Sequence, residues 1–205
     1  MKLYFSPGAC SLSPHIALRE AGLNFDLVQV DLKAHKTKAG DDYYKINPKG
    51  YVPALALDGG GMLTEGPAIV QYIADKAPAK HLAPANGTIE RYHLQEWLNF
   101  ISTELHKGFS PLFNPATPDS MKSAIKDRLV ARFTEVDRQL EGKQYLMGND
   151  FSVADGYLFT ICQWAAFMHV PIDNLAHLKA WRERVAARPA VQAALKAEAE
   201  ARKAA

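Results

Sequence analysis

The chain has 205 residues, 48% hydrophobic and 22% charged, with a formal net charge of +2. This is an ordinary globular composition, long enough to bury a real core in one domain or two small ones, and the small charge gives no ground for a nucleic-acid or anionic-membrane partner. No apolar run approaches the ~18 residues of a membrane helix, the N-terminus lacks the regions of a signal peptide, and two cysteines make no disulfide framework, so a reducing cytoplasm is the expected compartment.

Residues 2–5 read as a strand and 11–21 as a helix stopped by Gly22. Between them lies Ser6-Pro7-Gly8-Ala9-Cys10-Ser11-Leu12-Ser13-Pro14, a strand–turn–helix junction. A helix start presents free N–H groups and a partial positive charge, so the position predicts a lowered pKa for Cys10. Cys10-Ser11-Leu12-Ser13 is a C-x-x-S frame with no resolving thiol nearby. Cys10 can therefore form a mixed disulfide but not an internal one.

Phe25 to Val30 alternates and predicts a second strand, with Phe25, Leu27 and Gln29 on one face. Residues 33–44 are polar and lysine-rich and read as a loop with an irregular helix. Val52 to Leu57 is a third strand, and Asp58-Gly59-Gly60-Gly61 turns it into a short return strand, Met62-Leu63-Thr64. Pro67 to Lys76 is a helix, with proline suited to its first turn. The order β-α-β-(α)-β-β-α predicts a mixed sheet covered by helices.

The texture changes near Ala77. Residues 78–87 carry prolines and Asn86-Gly87 and read as a linker, dividing the chain into 1–77 and an all-helical 88–205. A helix is expected from Thr88 to about Lys107, interrupted by Gly108 and Pro111, and another from Pro118 to Leu140 with Ile125, Leu129, Phe133, Val136 and Leu140 as its apolar stripe. Val153 to Met168 is apolar nearly all round and predicts a central buried helix, opened by the capping-box pattern Ser152-Val153-Ala154-Asp155. Two more helices, 175–187 and 190–201, flank Pro189, and the alanine-rich end is expected to fray.

Several residues have the chemistry for a site. Val52-Pro53 opens a strand; if that bond is cis, the Val52 backbone faces outward to pair with a peptide-like ligand, while a trans proline would simply end a loop. Thr64-Glu65-Gly66-Pro67 puts N–H groups beside a carboxylate, which suits an α-amino acid or an ordinary helix start. Asn99, Thr103, His106 and Lys107 lie three or four apart and predict one polar side, lining a cleft or facing solvent. Trp164, Phe167 and Met168 could line an apolar pocket or be core, and Cys162 reads as core. No metal-ligand spacing such as H-E-x-x-H is present.

Taken together, the Cys10 segment, Asn47-Pro48-Lys49-Gly50-Tyr51-Val52-Pro53, Leu63-Thr64-Glu65-Gly66-Pro67-Ala68, Glu96-Trp97-Leu98-Asn99-Phe100, Glu104-Leu105-His106-Lys107-Gly108-Phe109 and Ser152-Val153-Ala154-Asp155 resemble the bacterial beta-class glutathione S-transferases over nearly the whole chain. The resemblance implies an α/β thioredoxin-like N-terminal domain, an all-α C-terminal domain, a cytoplasmic homodimer and a cis Pro53. It implies glutathione as co-substrate, with Cys10 and His106 catalytic. Val52, Pro53, Glu65 and Gly66 would bind it, joined by Asn99, Thr103, Glu104, His106 and Lys107, with Thr103 or Glu104 coming from the partner subunit. Phe113, Trp164, Phe167 and Met168 would take a hydrophobic electrophile. Ser152 and Asp155 would be a folding device. The chain departs from the family at position 35, often lysine near the glycyl carboxylate, where His35 or Lys36 must serve. It departs again at Gly66, where other classes usually carry serine.

Three activities fit this pattern. The first is transfer of glutathione to hydrophobic electrophiles. The second is glutathione-dependent disulfide reduction or reductive dehalogenation with Cys10 as nucleophile. The third is a non-catalytic ligand-binding or interaction protein on the same fold.

Overall fold

The computed structural model describes residues 1–203. They form two compact units: Met1–Ala83 with the chain from Arg188 on, and Pro84–Ala187. The sequence reading groups the last helix with the helical block; by contact it belongs with the first unit.

In the first unit, β1 (Lys2–Phe5), β2 (Asp26–Asp31), β3 (Lys36–Thr37), β4 (Ala54–Ala56) and β5 (Met62–Thr64) form one sheet in the order β3-β2-β1-β4-β5. β1 and β2 are parallel and the other pairs antiparallel. The parallel pair is joined through α1 (Leu12–Ala21), as such a connection requires. α2 (Tyr43–Ile46) and α3 (Gly66–Lys76) complete the α/β part, followed by a 3-10 turn at Pro78–Lys80. One cluster under the sheet joins Tyr4, Val30, Tyr43, Val52 and Ala54, with Val28 packed against it. The face of β2 that meets this cluster is therefore Val28 and Val30, and Phe25 lies before the strand.

Three expectations about this unit change. Residues 33–44 hold β3 and the start of α2, whose Asp42 cap accepts from the Tyr44 N–H at 3.0 Å. The third strand shrinks to three residues. The alanine-rich end does not fray within the described residues. α9 (Pro189–Lys203) packs on α1 and buries Val191, Ala194 and Glu198. These three lie at i, i+3 and i+7 and so share one face of the helix.

The second unit contains α4 (Ile89–Phe100), a π-helical segment (Ile101–His106), α5 (Lys107–Phe113), α6 (Asp119–Gln139), α7 (Val153–Phe167) and α8 (Ala176–Ala186). The expected break at Gly108 and Pro111 is absent, because both lie inside α5. Gly108 is there for close approach: a Cβ would stand 2.9 Å from Leu129 Cδ2 of α6. Helical winding loosens instead just before it, in the π segment, a feature often found at functional positions.

α7 is the buried centre expected. Its capping box forms, and Asp155 is fully buried. Asp155 Oδ2 accepts from the Ser152 N–H and hydroxyl at 2.9 and 2.8 Å, while Oδ1 accepts from the Leu146 N–H and Trp181 Nε1, each at 2.9 Å. Burial pushes this carboxyl above its usual range, against the pull of those four donors. One side chain thereby ties the α7 start to the 145–151 turn and to α8.

Candidate functional site

Each unit carries part of the predicted residue set. In the first, strand β1 delivers the chain to a turn closed by the Ala9 N–H on Ser6 O at 3.0 Å and by Ser11 Oγ, which accepts from the Ser6 N–H at 3.1 Å and donates to Ser6 O at 3.2 Å. This turn sets Cys10 two residues before α1, partly exposed. Its thiol donates to the Val52 carbonyl at 3.3 Å. Only the protonated sulfur can make that bond, since a thiolate has nothing to donate.

The helix start is less open than expected. The Leu12 N–H already donates to Ala9 O and the Ser13 N–H to Cys10 O, both at 3.2 Å, and Pro14 has no N–H. Ser13, the hydroxyl of the C-x-x-S frame, is 1% exposed and its Oγ has no hydrogen-bond partner. The other cysteine, Cys162, is fully buried in α7, its thiol pushed up to about 12 by burial. It packs as a small hydrophobe and offers no resolving thiol.

The Val52–Pro53 bond is cis. The loop before it is held by Tyr43 Oη and Asn47 Nδ2, which donate to Tyr51 O at 2.9 and 2.8 Å. Glu65 stands at the α3 start with φ 69°, a left-handed value uncommon for a non-glycine residue. Its carboxylate meets Lys49 Nζ at 3.1 Å, and the same ammonium donates to Thr64 Oγ1 at 3.2 Å. Gly66 follows as the first residue of α3. His35 stacks on Tyr44 with ring centroids 4.4 Å apart, and its Nε2 lies 3.2 Å from Tyr44 Oη, leaving a buried Nδ1 without a hydrogen-bond partner. Cys10, Val52 and Pro53 are thus brought together. Glu65 and Gly66 form a second group with Lys49, which the sequence reading did not single out.

In the second unit, the polar positions diverge around the π segment. Asn99, Thr103 and Lys107 are exposed, and Thr103 Oγ1 donates to Asn99 O at 3.0 Å. Glu104 turns to α6 and accepts from Arg132 Nε at 2.8 Å and Arg128 Nη2 at 3.1 Å. The Arg128 hydrogen bond leads the causes that hold its carboxyl below the usual range. His106 is half-buried: its Nδ1 lies 2.6 Å from the hydroxyl of Tyr157, and its ring meets Trp164 edge-on at 5.0 Å. Phe113 also contacts Trp164, at 5.1 Å, and Phe109 does so from the other direction at 5.8 Å. His106, Phe113 and Trp164 therefore share one aromatic cluster. Phe167 is 74% exposed at the end of α7, and Met168 is half-buried. Tyr157 was missed; the signal was a tyrosine on an otherwise apolar helix, whose hydroxyl needs a partner.

Among the described residues no group of three or more histidine, cysteine or acidic side chains could hold a metal ion. No described helix is long and apolar enough to cross a membrane.

The model of the glutathione S-transferase N-terminal domain matches residues 1–75, and that of the C-terminal domain matches residues 100–189. Glutathione S-transferase GstA of Escherichia coli O157:H7 is 48% identical over 198 residues, spanning 97% of this chain and 98% of that protein. Among solved structures, a ternary complex of BphK, a bacterial enzyme of this kind, is 62% identical with a TM-score of 0.95, covering 97% of this chain and 100% of that one. A sphingomonad glutathione S-transferase complexed with glutathione is 50% identical (TM-score 0.94), and a beta-class glutathione S-transferase of Sphingomonas chungbukensis is 49% identical (TM-score 0.93). They cover 97% of this chain, and 99% and 98% of their own.

Proposed function

The chain belongs to the glutathione S-transferase family, in its bacterial beta class, and from that premise we propose how its residues carry out the transfer. It is a glutathione transferase, with glutathione as co-substrate and a thioredoxin-like domain followed by helices. The non-catalytic reading is not favoured. The observation that carries the site assignment is the 3.3 Å hydrogen bond between the Cys10 thiol and Val52 O. The residue that would pair with the cysteinyl backbone of glutathione and the protein's exposed-side thiol are in contact.

In this reading residues 1–77 bind glutathione, 78–87 link, and 88–205 supply the electrophile site. Val52 and Pro53 take the cysteinyl part of glutathione. Glu65 and Gly66, with Thr103 or Glu104 of a second copy in a homodimer, take its γ-glutamyl end, and His35 or Lys36 its glycyl carboxylate. Asn99, His106 and Lys107 serve the sulfur, and Phe113, Trp164, Phe167 and Met168 the hydrophobic electrophile. The cytoplasm is the compartment that suits a reduced Cys10 thiol. In transfer, the glutathione thiol loses its proton, the sulfur bonds to the electrophilic carbon, and the leaving group departs with the electron pair. Positioning and stabilisation of the thiolate supply the rate. Cys10 supports that sulfur by hydrogen bonding.

A second reading is glutathione-dependent disulfide reduction, which the burial of Cys162 confines to a one-thiol route through the partly exposed Cys10. Cys10 attacks a glutathione mixed disulfide, one thiol is released, and a second glutathione resolves the new Cys10–glutathione disulfide. One comparison separates the two: wild type and Cys10→Ala, assayed for conjugation with a halonitroarene and for reduction of a glutathione mixed disulfide. We expect Cys10→Ala to keep conjugation within about tenfold and to lose reduction. Loss of both with glutathione still bound would make Cys10 essential to transfer itself.

A further inference from the structure

The last helix carries a buried carboxylate tied to the loop in front of Cys10. Glu198 on α9 is only 5% exposed. Its Oε2 accepts from the Gly8 N–H at 2.9 Å, and its Oε1 lies 3.2 Å from Nδ1 of His15, itself fully buried on α1. The other ring nitrogen of His15, Nε2, accepts from Arg19 Nε at 2.8 Å. Arginine nitrogens only donate. His15 Nε2 therefore bears no proton, Nδ1 does, and the imidazole is neutral and donates to Glu198. The ring is held between Phe5 and Phe25, at 6.2 and 5.8 Å between centroids. Arg202 of α9 adds a weaker hold, donating to Pro7 O at 3.4 Å.

This arrangement explains why the position is a carboxylate. Burying one is unfavourable unless it is hydrogen-bonded and paired. Here two donors face its two oxygens, and the Arg19 charge reaches it through the imidazole. An amide has one acceptor oxygen, so in its place an N–H would face either the Gly8 N–H or the His15 N–H. Val191 and Ala194 supply the buried apolar side chains of α9, and Glu198 is the polar member of the same face. Gly8 itself holds a φ of 80°, a backbone conformation that favours glycine.

We propose that Glu198 is a positioning residue for the reactive thiol: it fixes the Gly8 peptide, and with it the Ser6–Cys10 turn that presents Cys10 to Val52. The link from Gly8 to Cys10 is short, since the next residue, Ala9, closes that turn by donating to Ser6 O. The proposal rests on Cys10 being the reactive thiol, and its test reads Cys10 directly.

Full-length wild type, Glu198→Gln and Glu198→Asp are compared in two measurements. The first is the pH profile of Cys10 alkylation by iodoacetamide, with buried Cys162 as the unreactive reference. The second is kcat and KM for halonitroarene conjugation. Glu198→Gln is expected to move the alkylation midpoint by at least about half a pH unit and to lower kcat/KM about fivefold, with unchanged circular dichroism. Glu198→Asp, which keeps the charge but falls one methylene short, moves both in the same sense by less. A folded Glu198→Gln with wild-type profile and kinetics overturns the proposal, whatever its thermal midpoint. Should neither variant fold, nitrogen-15 spectra of wild-type histidines decide: the proposal requires His15 neutral with its proton on Nδ1, and an Nε2–H tautomer overturns it. Failure of the Cys10 reading would show separately, as Cys10→Ala retaining both activities.

Discussion

Asp155 gives the sharpest stability test. Four donors converge on its carboxyl from Ser152, Leu146 and Trp181, and those three residues are at most 3% exposed, so water cannot replace a lost acceptor. Asp155→Ala removes both oxygens. The Ser152 hydroxyl can rotate to another acceptor, but three N–H groups are orphaned, and at about 1–3 kcal/mol each the loss reaches at least about 3 kcal/mol. That is a large part of the ~5–15 kcal/mol that holds a domain together. Asp155→Asn keeps one oxygen for Leu146 and Trp181 and turns its NH2 toward Ser152, whose hydroxyl can accept; one N–H is orphaned, for about 2 kcal/mol. Urea unfolding followed by circular dichroism measures both. An Asp155→Ala variant no less stable than Asp155→Asn would refute the donor count. The pH dependence is a second check. The folded carboxyl lies above its unfolded value, so the folded state holds the proton more tightly. The stability this gives is full below the unfolded value, near 3.8, and is lost as pH rises through the folded one. The deficit of Asp155→Asn should therefore shrink as pH rises from that point, and a deficit that grows would reverse the assigned direction.

Two further substitutions test particular contacts. Tyr157→Phe removes the hydroxyl 2.6 Å from His106 Nδ1 and leaves the ring packing in place; we expect kcat/KM for conjugation to fall about fivefold with the fold intact, and unchanged kinetics would mean that His106 orientation does not matter to the transfer. Ser13→Ala deletes a buried hydroxyl with no hydrogen-bond partner, so thermal unfolding should show a neutral effect or a gain of up to about 1 kcal/mol, and a clear loss would reveal a partner.

The parts legible in the sequence were those with local signals. The strand–turn–helix around Cys10 announces itself through Pro7, Gly8 and Pro14, the hairpin through its three glycines, and the α7 start through Ser152 and Asp155. The parts that escaped lack such signals. β3 has two residues, too few for any alternation to register. The π segment is hidden because its buried residues, Ile101 and Leu105, continue the spacing set by Leu98 before it and Phe109 after it, as in an ordinary helix. Glycine and proline are helix breakers on average, yet Gly108 serves a close approach to Leu129, and packing overrode the propensity.

The hardest feature to read was Glu198, and the reason bears on function. Pattern reading places an acidic residue on a solvated face, because a lone carboxylate is unfavourable inside. What makes this one stable inside is a set of donors 183 and 190 residues away in the chain, at His15 and Gly8. Those donors exist because the final helix returns to the first unit and covers α1. Cys10 is likewise met by a carbonyl 42 residues away. The reactive turn is thus specified locally by its glycine and prolines, and held from two distant points: Val52 before β4 and Glu198 on α9. A helix start alone predicts a nucleophile in a general place. The two remote contacts fix where its sulfur points, and in the proposed function, where that thiol meets the sulfur of glutathione, direction matters as much as acidity.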